Sequence, residues 1–148
     1  MQVTRQHIID IPLPVEEAFP LFTPLGEMRW IDEWQPVFIH PASGETEEGM
    51  VFRTGEGDEE TIWSCIEWRP EIHHVRYARV TPASRFAHVS VRCAGTAPNR
   101  TNVMVRYEMT ALTGHGREKL AALTEEAFRA SIEGWKHMIQ RRICAARS

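Results

Sequence analysis

The sequence predicts an α+β fold: a curved antiparallel sheet of seven strands, two short helices after the first strand, and a long C-terminal helix across the concave face. Three observations carry this. From Val37 to Leu112 the apolar pattern keeps a period of two through six successive segments, separated by turn-forming stretches such as Pro41-Ala42-Ser43-Gly44 and Pro82-Ala83-Ser84. From Arg117 to Cys144 the period changes to three and four, with no proline and Gly134 as the only glycine. Between the first strand and this meander, Pro14, Pro24 and Pro36 punctuate two segments that suit short helices.

Gln2–Ile11 alternates around Val3, His7, Ile9 and Ile11 and stops at Pro12-x-Pro14, as a strand does. Pro14 then opens a helix running to about Phe22. Glu16 and Glu17 in its first turn complement the positive end of the helix dipole. A second short helix follows over Leu25–Ile31, and Trp30 and Trp34, four residues apart, share a face. The meander reads as Val37–His40, Met50–Thr54, Glu60–Trp68, His73–Thr81, Arg85–Cys93 and Asn102–Leu112, and links this short make neighbouring strands antiparallel. Thr113-Gly114-His115-Gly116 ends the last strand. Arg117–Cys144 reads as one continuous helix of about 42 Å, longer than one face of a small compact body needs, so the sheet beneath it should curve. Its stripe of Leu120, Leu123, Phe128, Ile132, Trp135, Met138 and Ile139 carries aromatic residues where leucine would suffice for plain packing.

At 148 residues the chain is expected to form one domain, 1–148, that buries about two-thirds of its unfolded surface without staples. Cys65, Cys93 and Cys144 are odd in number and form no C-x-x-C pair, which suits reduced thiols and a cytoplasmic location. No signal-like apolar core opens the sequence and no run approaches the ~20 residues of a membrane span. A net charge of −3 and only two lysines, Lys119 and Lys136, argue against a nucleic-acid partner. Glu45, Glu47, Glu48, Glu56, Asp58, Glu59 and Glu60 cluster around glycines as solvated hairpin loops.

Metal and nucleophile chemistry finds no motif. His73 and His74 are adjacent and point to opposite faces of a strand, and neither H-E-x-x-H nor a two-histidine, one-carboxylate spacing occurs, so no metal and no cofactor is implied. There is no G-x-S-x-G, no P-loop and no G-x-G-x-x-G.

The element order, together with Pro14-Val15-Glu16-Glu17-Ala18-Phe19, Gly49-Met50-Val51-Phe52, Thr61-x-Trp63 and Phe128-x-x-x-Ile132-x-x-Trp135, resembles the birch-pollen-allergen or START-like superfamily (SRPBCC), and its bacterial polyketide cyclase/dehydrase-like branch in particular. The resemblance spans essentially the whole chain. It implies a helix-grip fold with an internal apolar cavity for a lipid, sterol, polyketide or hormone-like molecule.

Strand parity then distributes side chains. Val103, Val105, Tyr107 and Met109 share the face expected to meet the helix, as do Ala87, Val89, Val91 and Cys93, leaving His88, Ser90 and Arg92 outside. In Thr61–Trp68 parity alone leaves both faces open, and the resemblance favours Trp63 inward, which would carry Glu67 to the cavity side. Tyr77 is taken as inward with Val75 and Arg79.

Three function classes follow. The first is a binding protein for a mostly apolar small molecule, its pocket lined by Trp30, Trp34, Phe52, Trp63, Tyr77, Tyr107, Phe128, Trp135 and Met138, with a tyrosine hydroxyl or an indole N–H orienting the ligand. The second is a cyclase/dehydrase-type enzyme, with Arg79 or Arg106 polarising a carbonyl and Glu67, His74 or His137 moving a proton. The third is a protein-interaction module, which would show an exposed apolar patch. The volume and polarity of the interior discriminate among them.

Overall fold

The computed structural model describes residues 1–145. Strand β1 (Gln2–Ile11) is followed by α1 (Val15–Ala18), a 3-10 turn (Phe19–Phe22) and α2 (Pro24–Glu27). The meander is β2 (Val37–His40), β3 (Val51–Thr54), β4 (Thr61–Arg69), β5 (His74–Thr81), β6 (Arg85–Ala97) and β7 (Arg100–Ala111). The chain closes with α3 (Gly114–Ala122), α4 (Glu125–Ile139) and a π-helical turn (Gln140–Cys144). All seven strands form one antiparallel sheet in the order β1-β7-β6-β5-β4-β3-β2, so β1 closes against the last strand rather than the next one.

Alternation decides the inner face. Ile9, Ile11, Phe52, Cys65, Val75, Val91, Val103 and Val105 are buried there beneath Phe128, Ile132 and Ile139 of α4, while Ile8, Ile62 and Ile66 remain exposed on the other face. His7 ties the two layers together, its Nε2 lying 2.6 Å from Glu133 Oε2 on α4.

The closing helix is not continuous. Leu123 leaves the helical region (φ −88, ψ 70), and Thr124 begins a new helix by accepting a hydrogen bond from Ala127 N at 3.1 Å. Glu125 and Glu126 in the first turn reinforce that start. The carbonyl freed at Leu123 is taken by Arg5 Nε of β1 at 2.9 Å. The break lets each piece follow the curved sheet, which a straight rod of 28 residues would not do.

The beginning of α3 is likewise earlier than the glycines suggest. Thr113 caps it through Gly116 N at 3.2 Å, and a Cβ on Gly116 would stand 1.8 Å from the Ser84 carbonyl, so the helix meets the β5–β6 turn backbone to backbone. His73 does not begin a strand: it caps a 3-10 turn (Pro70–Ile72) in the left-handed region, φ 55.

One irregularity reassigns side chains. Between Cys65 and Glu67 the β4–β5 register slips: Cys65 faces Tyr77, Glu67 faces Arg76, and Ile66 is the extra residue of a β-bulge. Beyond it parity inverts, so Trp68 turns inward opposite Val75 and stacks on Phe19 with ring centroids 5.5 Å apart. Glu67 is turned away from the interior.

Candidate functional site

The site begins with α2, a helix of one turn. Thr23 caps it, its hydroxyl accepting from Gly26 N at 3.0 Å. Gly26 lies so close to the preceding turn that a Cβ there would stand 1.8 Å from the Pro20 carbonyl, which fixes the helix against the 3-10 turn. Two indoles lash down the chain that follows: Trp30 Nε1 donates to the Leu21 carbonyl at 2.8 Å, and Trp34 Nε1 to the Pro24 carbonyl at 2.9 Å. So held, α2 presents Glu27 to the sheet.

A cavity of about 100 Å³ lies between α2, the sheet and α4. Pro24, Glu27, Ile31 and Trp34 line it from the α2 side, Phe52, Trp63, Tyr77, Arg79, Val89, Val91 and Tyr107 from the sheet, and Trp135 from α4. Its rings interlock. Trp63 stacks on Phe52 at 5.4 Å, Trp34 meets Trp63 edge-on at 5.7 Å, and Tyr77 meets Trp63 edge-on at 6.1 Å.

Two charged groups enter this aromatic box. Arg79 projects from β5, opposite Trp63 on β4 and the small Ala87 on β6. Its guanidinium carbon sits 5.0 Å from the Trp63 ring centre and 4.9 Å from that of Tyr107, a cation held between two π faces. Glu27 is the other. Burial pushes its carboxyl up to about 8, against the opposing pull of Arg79, so at pH 7 it is mostly the neutral acid. What surface it keeps contributes to the cavity lining. Among the described residues Arg79 forms no ion pair with any carboxylate. Burial also raises the Tyr77 and Tyr107 phenols, so both stay protonated through neutral pH.

Of the residues singled out from the sequence, Trp34, Phe52, Trp63, Tyr77, Tyr107 and Trp135 meet at this cavity. Trp30, Phe128 and Met138 do not line it. Trp30 lies fully buried behind Trp135, Phe128 packs edge-on against Tyr107 at 4.9 Å, and Met138 packs half-buried against the core. Four of the candidate polar handles already have protein partners. Trp30, Trp34 and Trp63 give their indole N–H groups to Leu21, Pro24 and Thr54, and Tyr77 gives its hydroxyl to the Phe22 carbonyl at 3.0 Å, leaving these four donors engaged with protein.

The expected proton-transfer groups lie elsewhere. Glu67, turned out by the bulge, accepts from Arg69 Nε at 2.9 Å, and that bond, with His74 and neighbouring arginines, holds its carboxyl below the usual range. His74 sits with it outside the cavity, its Nδ1 buried without a hydrogen-bond partner and its imidazole pushed down by burial. Arg106 pairs with Glu108 and Gln6, and His137 is exposed. Glu27 was missed because nothing in Leu25-Gly26-Glu27-Met28 separates it from a solvated helix residue. The flanking signal, a threonine cap and a glycine one residue before it, marks a tightly packed turn only once Pro20 is seen against it.

No protein-family model and no curated protein matches this sequence. Solved structures do match by shape. Norcoclaurine synthase from Thalictrum flavum, solved in complex with dopamine and hydroxybenzaldehyde, superimposes with a TM-score of 0.66 at 9% identity over 95% of this chain and 88% of its own. Zhui aromatase/cyclase from Streptomyces sp. R1128 gives 0.67 at 15% identity over 99% and 98%. A hypothetical protein, jhp0584, from Helicobacter pylori gives 0.72 at 9% identity over 93% and 85%. These likenesses, reached at identities where only shape persists, establish that the chain has the helix-grip fold of these neighbours.

Proposed function

We propose that this protein binds a compact, mostly apolar small molecule in the cavity between α2, the sheet and α4. The cavity itself is the observation that supports this reading: aromatic rings wall it and only Glu27 and Arg79 bring charge to it. Rings supply contact area at low conformational cost, and two polar groups suffice to orient what enters. The volume narrows the ligand class. About 100 Å³ is below the ~300–1,000 Å³ of pockets that take drug-sized ligands, so a sterol or long acyl chain exceeds it and a compact ring compound suits it.

Binding is tested by titrating small aromatic compounds while following tryptophan emission, since Trp34, Trp63 and Trp135 border the site. Saturation at one equivalent is expected. Finding no saturable response, and no small molecule released when natively purified protein is denatured for mass spectrometry, would remove this reading.

A second reading, proton-transfer catalysis on a carbonyl compound, draws on the juxtaposition of Glu27 and Arg79 in one cavity. A carboxyl poised near neutrality moves protons, and a guanidinium stabilises the developing oxyanion. It is tested by following deuterium exchange alpha to the carbonyl of a small aryl ketone by NMR. Acceleration that disappears in Glu27→Gln supports it; exchange at the buffer rate removes it.

A further inference from the structure

Arg79 and Glu27 are arranged in a way that apolar binding alone does not require. A guanidinium on the inner face of a sheet costs free energy through desolvation, and such groups are ordinarily matched with a carboxylate. Nine ion pairs occur among the described residues and none includes Arg79. The faces of Trp63 and Tyr107 support its charge, and a hydrogen bond to the Tyr107 side chain uses only part of its five-donor fork.

From these facts we infer that the cavity takes a ligand bearing a carboxylate on a compact apolar or aromatic body, the carboxylate lying between the Arg79 guanidinium and the Glu27 carboxylic acid. This rests on the binding reading above and names its ligand class.

The chemistry of each partner supports the assignment. Arg79 presents donors in a planar fork that matches two carboxylate oxygens. Glu27, when protonated, adds an O–H donor, whereas an ionised Glu27 would face the ligand with like charge. The groups around Glu27 favour the first state. From β5 it faces Arg79 and Tyr77, and from β7 Tyr107, while β3, β4, β6 and α4 bring only Phe52, Trp63, Val89, Val91 and Trp135 to the cavity. Burial outweighs the single cation and keeps the carboxyl protonated to about pH 8. An anionic ligand beside it favours the protonated form further, so ligand and proton bind together. A neutral ligand leaves the half-buried Arg79 without a matching charge, and so forfeits affinity.

Matched isosteres test this. Phenylacetate and phenylacetamide share shape and differ in charge, and each is titrated into the intact protein by tryptophan emission and calorimetry. At pH 7 phenylacetate should bind at least ~10-fold more tightly. Its affinity should hold from pH 6 to 7.5 and then fall by up to ~10-fold per pH unit above pH 8, as Glu27 ionises before binding. In Glu27→Gln, whose amide remains a donor at every pH, phenylacetate should still bind and the alkaline fall should vanish. Arg79→Met should abolish the preference for the acid, and if that variant does not fold, the isostere pair on the natural sequence and the Glu27→Gln profile decide the matter alone. Equal binding of acid and amide, or an alkaline fall unchanged in Glu27→Gln, would overturn the carboxylate assignment while leaving the cavity reading intact. Saturable binding of neither compound, nor of any other compact aromatic, would overturn both.

Discussion

Trp135 meets Trp30 edge-to-face with ring centroids 5.8 Å apart, yet the two indoles have different surroundings. Trp30 is 1% exposed and anchored by its N–H to Leu21, whereas Trp135 is half-buried and forms the α4 wall of the cavity. Truncating a ring costs both its transfer free energy and the cavity it leaves, and next to an existing void part of that second cost is already present. Trp30→Ala should therefore destabilise by about 3–5 kcal/mol and Trp135→Ala by less, about 1–3 kcal/mol, in urea unfolding. Equal losses would show that Trp135 is simply core.

Glu27 should leave a signature in stability against pH. Its folded carboxyl titrates near 8, against 4.5 for the ordinary group. Below pH 4.5 both folded and unfolded states hold the proton; between the two values only the folded state does. Stability is thus fully present at the acid end and is lost as pH rises, levelling off above pH 8. The limit is on the order of 5 kcal/mol, and water reaching the cavity side of the carboxyl reduces it to a few kcal/mol. Melting of Glu27→Gln and the natural protein between pH 5 and 9 isolates this contribution: the natural protein should lose stability relative to the variant as pH rises toward 8, and parallel curves would show that the carboxyl is not protonated in the fold.

Two glycines should respond in opposite directions to alanine. Gly134, in the middle of α4, has open space where a Cβ would go, so Gly134→Ala should stabilise by about 0.5–1 kcal/mol through helix propensity and a less free unfolded chain. At Gly26 the same methyl would stand 1.8 Å from the Pro20 carbonyl. That substitution must separate α2 from the turn before it, and a loss of more than 2 kcal/mol is expected, with displacement of Glu27. Chemical denaturation of both variants checks the pair, and a neutral Gly26→Ala would contradict the packing described.

The thiols should divide by burial. Cys65 on β4 and Cys93 on β6 are buried on the inner face of the sheet, and burial raises them to about 11 and about 12, so at pH 8 almost none of either is thiolate. Iodoacetamide at pH 8 on folded protein, read by peptide mass spectrometry, should leave both unmodified until denaturant is added. Modification of Cys65 or Cys93 in native buffer would indicate that the sheet opens locally far more often than its packing suggests.

Stability should not depend on metal or on disulfides. None of the three cysteines is in a disulfide, and among the described residues no three His, Cys, Asp or Glu side chains gather around a common point. Melting in EDTA with reductant should match melting in plain buffer, and a drop of more than a few degrees would show otherwise.

The sequence by itself determined the element order, the antiparallel meander and the inner faces of its two regular strands, because side-chain alternation and turn chemistry are local properties. Ala87, Val89, Val91 and Cys93 on β6 and Val103, Val105 and Met109 on β7 lie buried on the face that alternation predicts. Periodicity also located the closing helical region, but it overlooked the break at Leu123, since a stripe read at intervals of three and four passes over a Thr124 cap without interruption. Only the tertiary structure decided where charge meets the cavity. One extra residue at Ile66 inverted the parity of β4 and took Glu67 outside, and the spacing of apolar residues carries no mark of a bulge. Glu27 owes its raised carboxyl to burial among the rings of four strands and α4, which outweighs the opposing charge of Arg79, a neighbour 52 positions away in sequence. Desolvation is a property of everything that surrounds a group in space, so no window along the chain contains it.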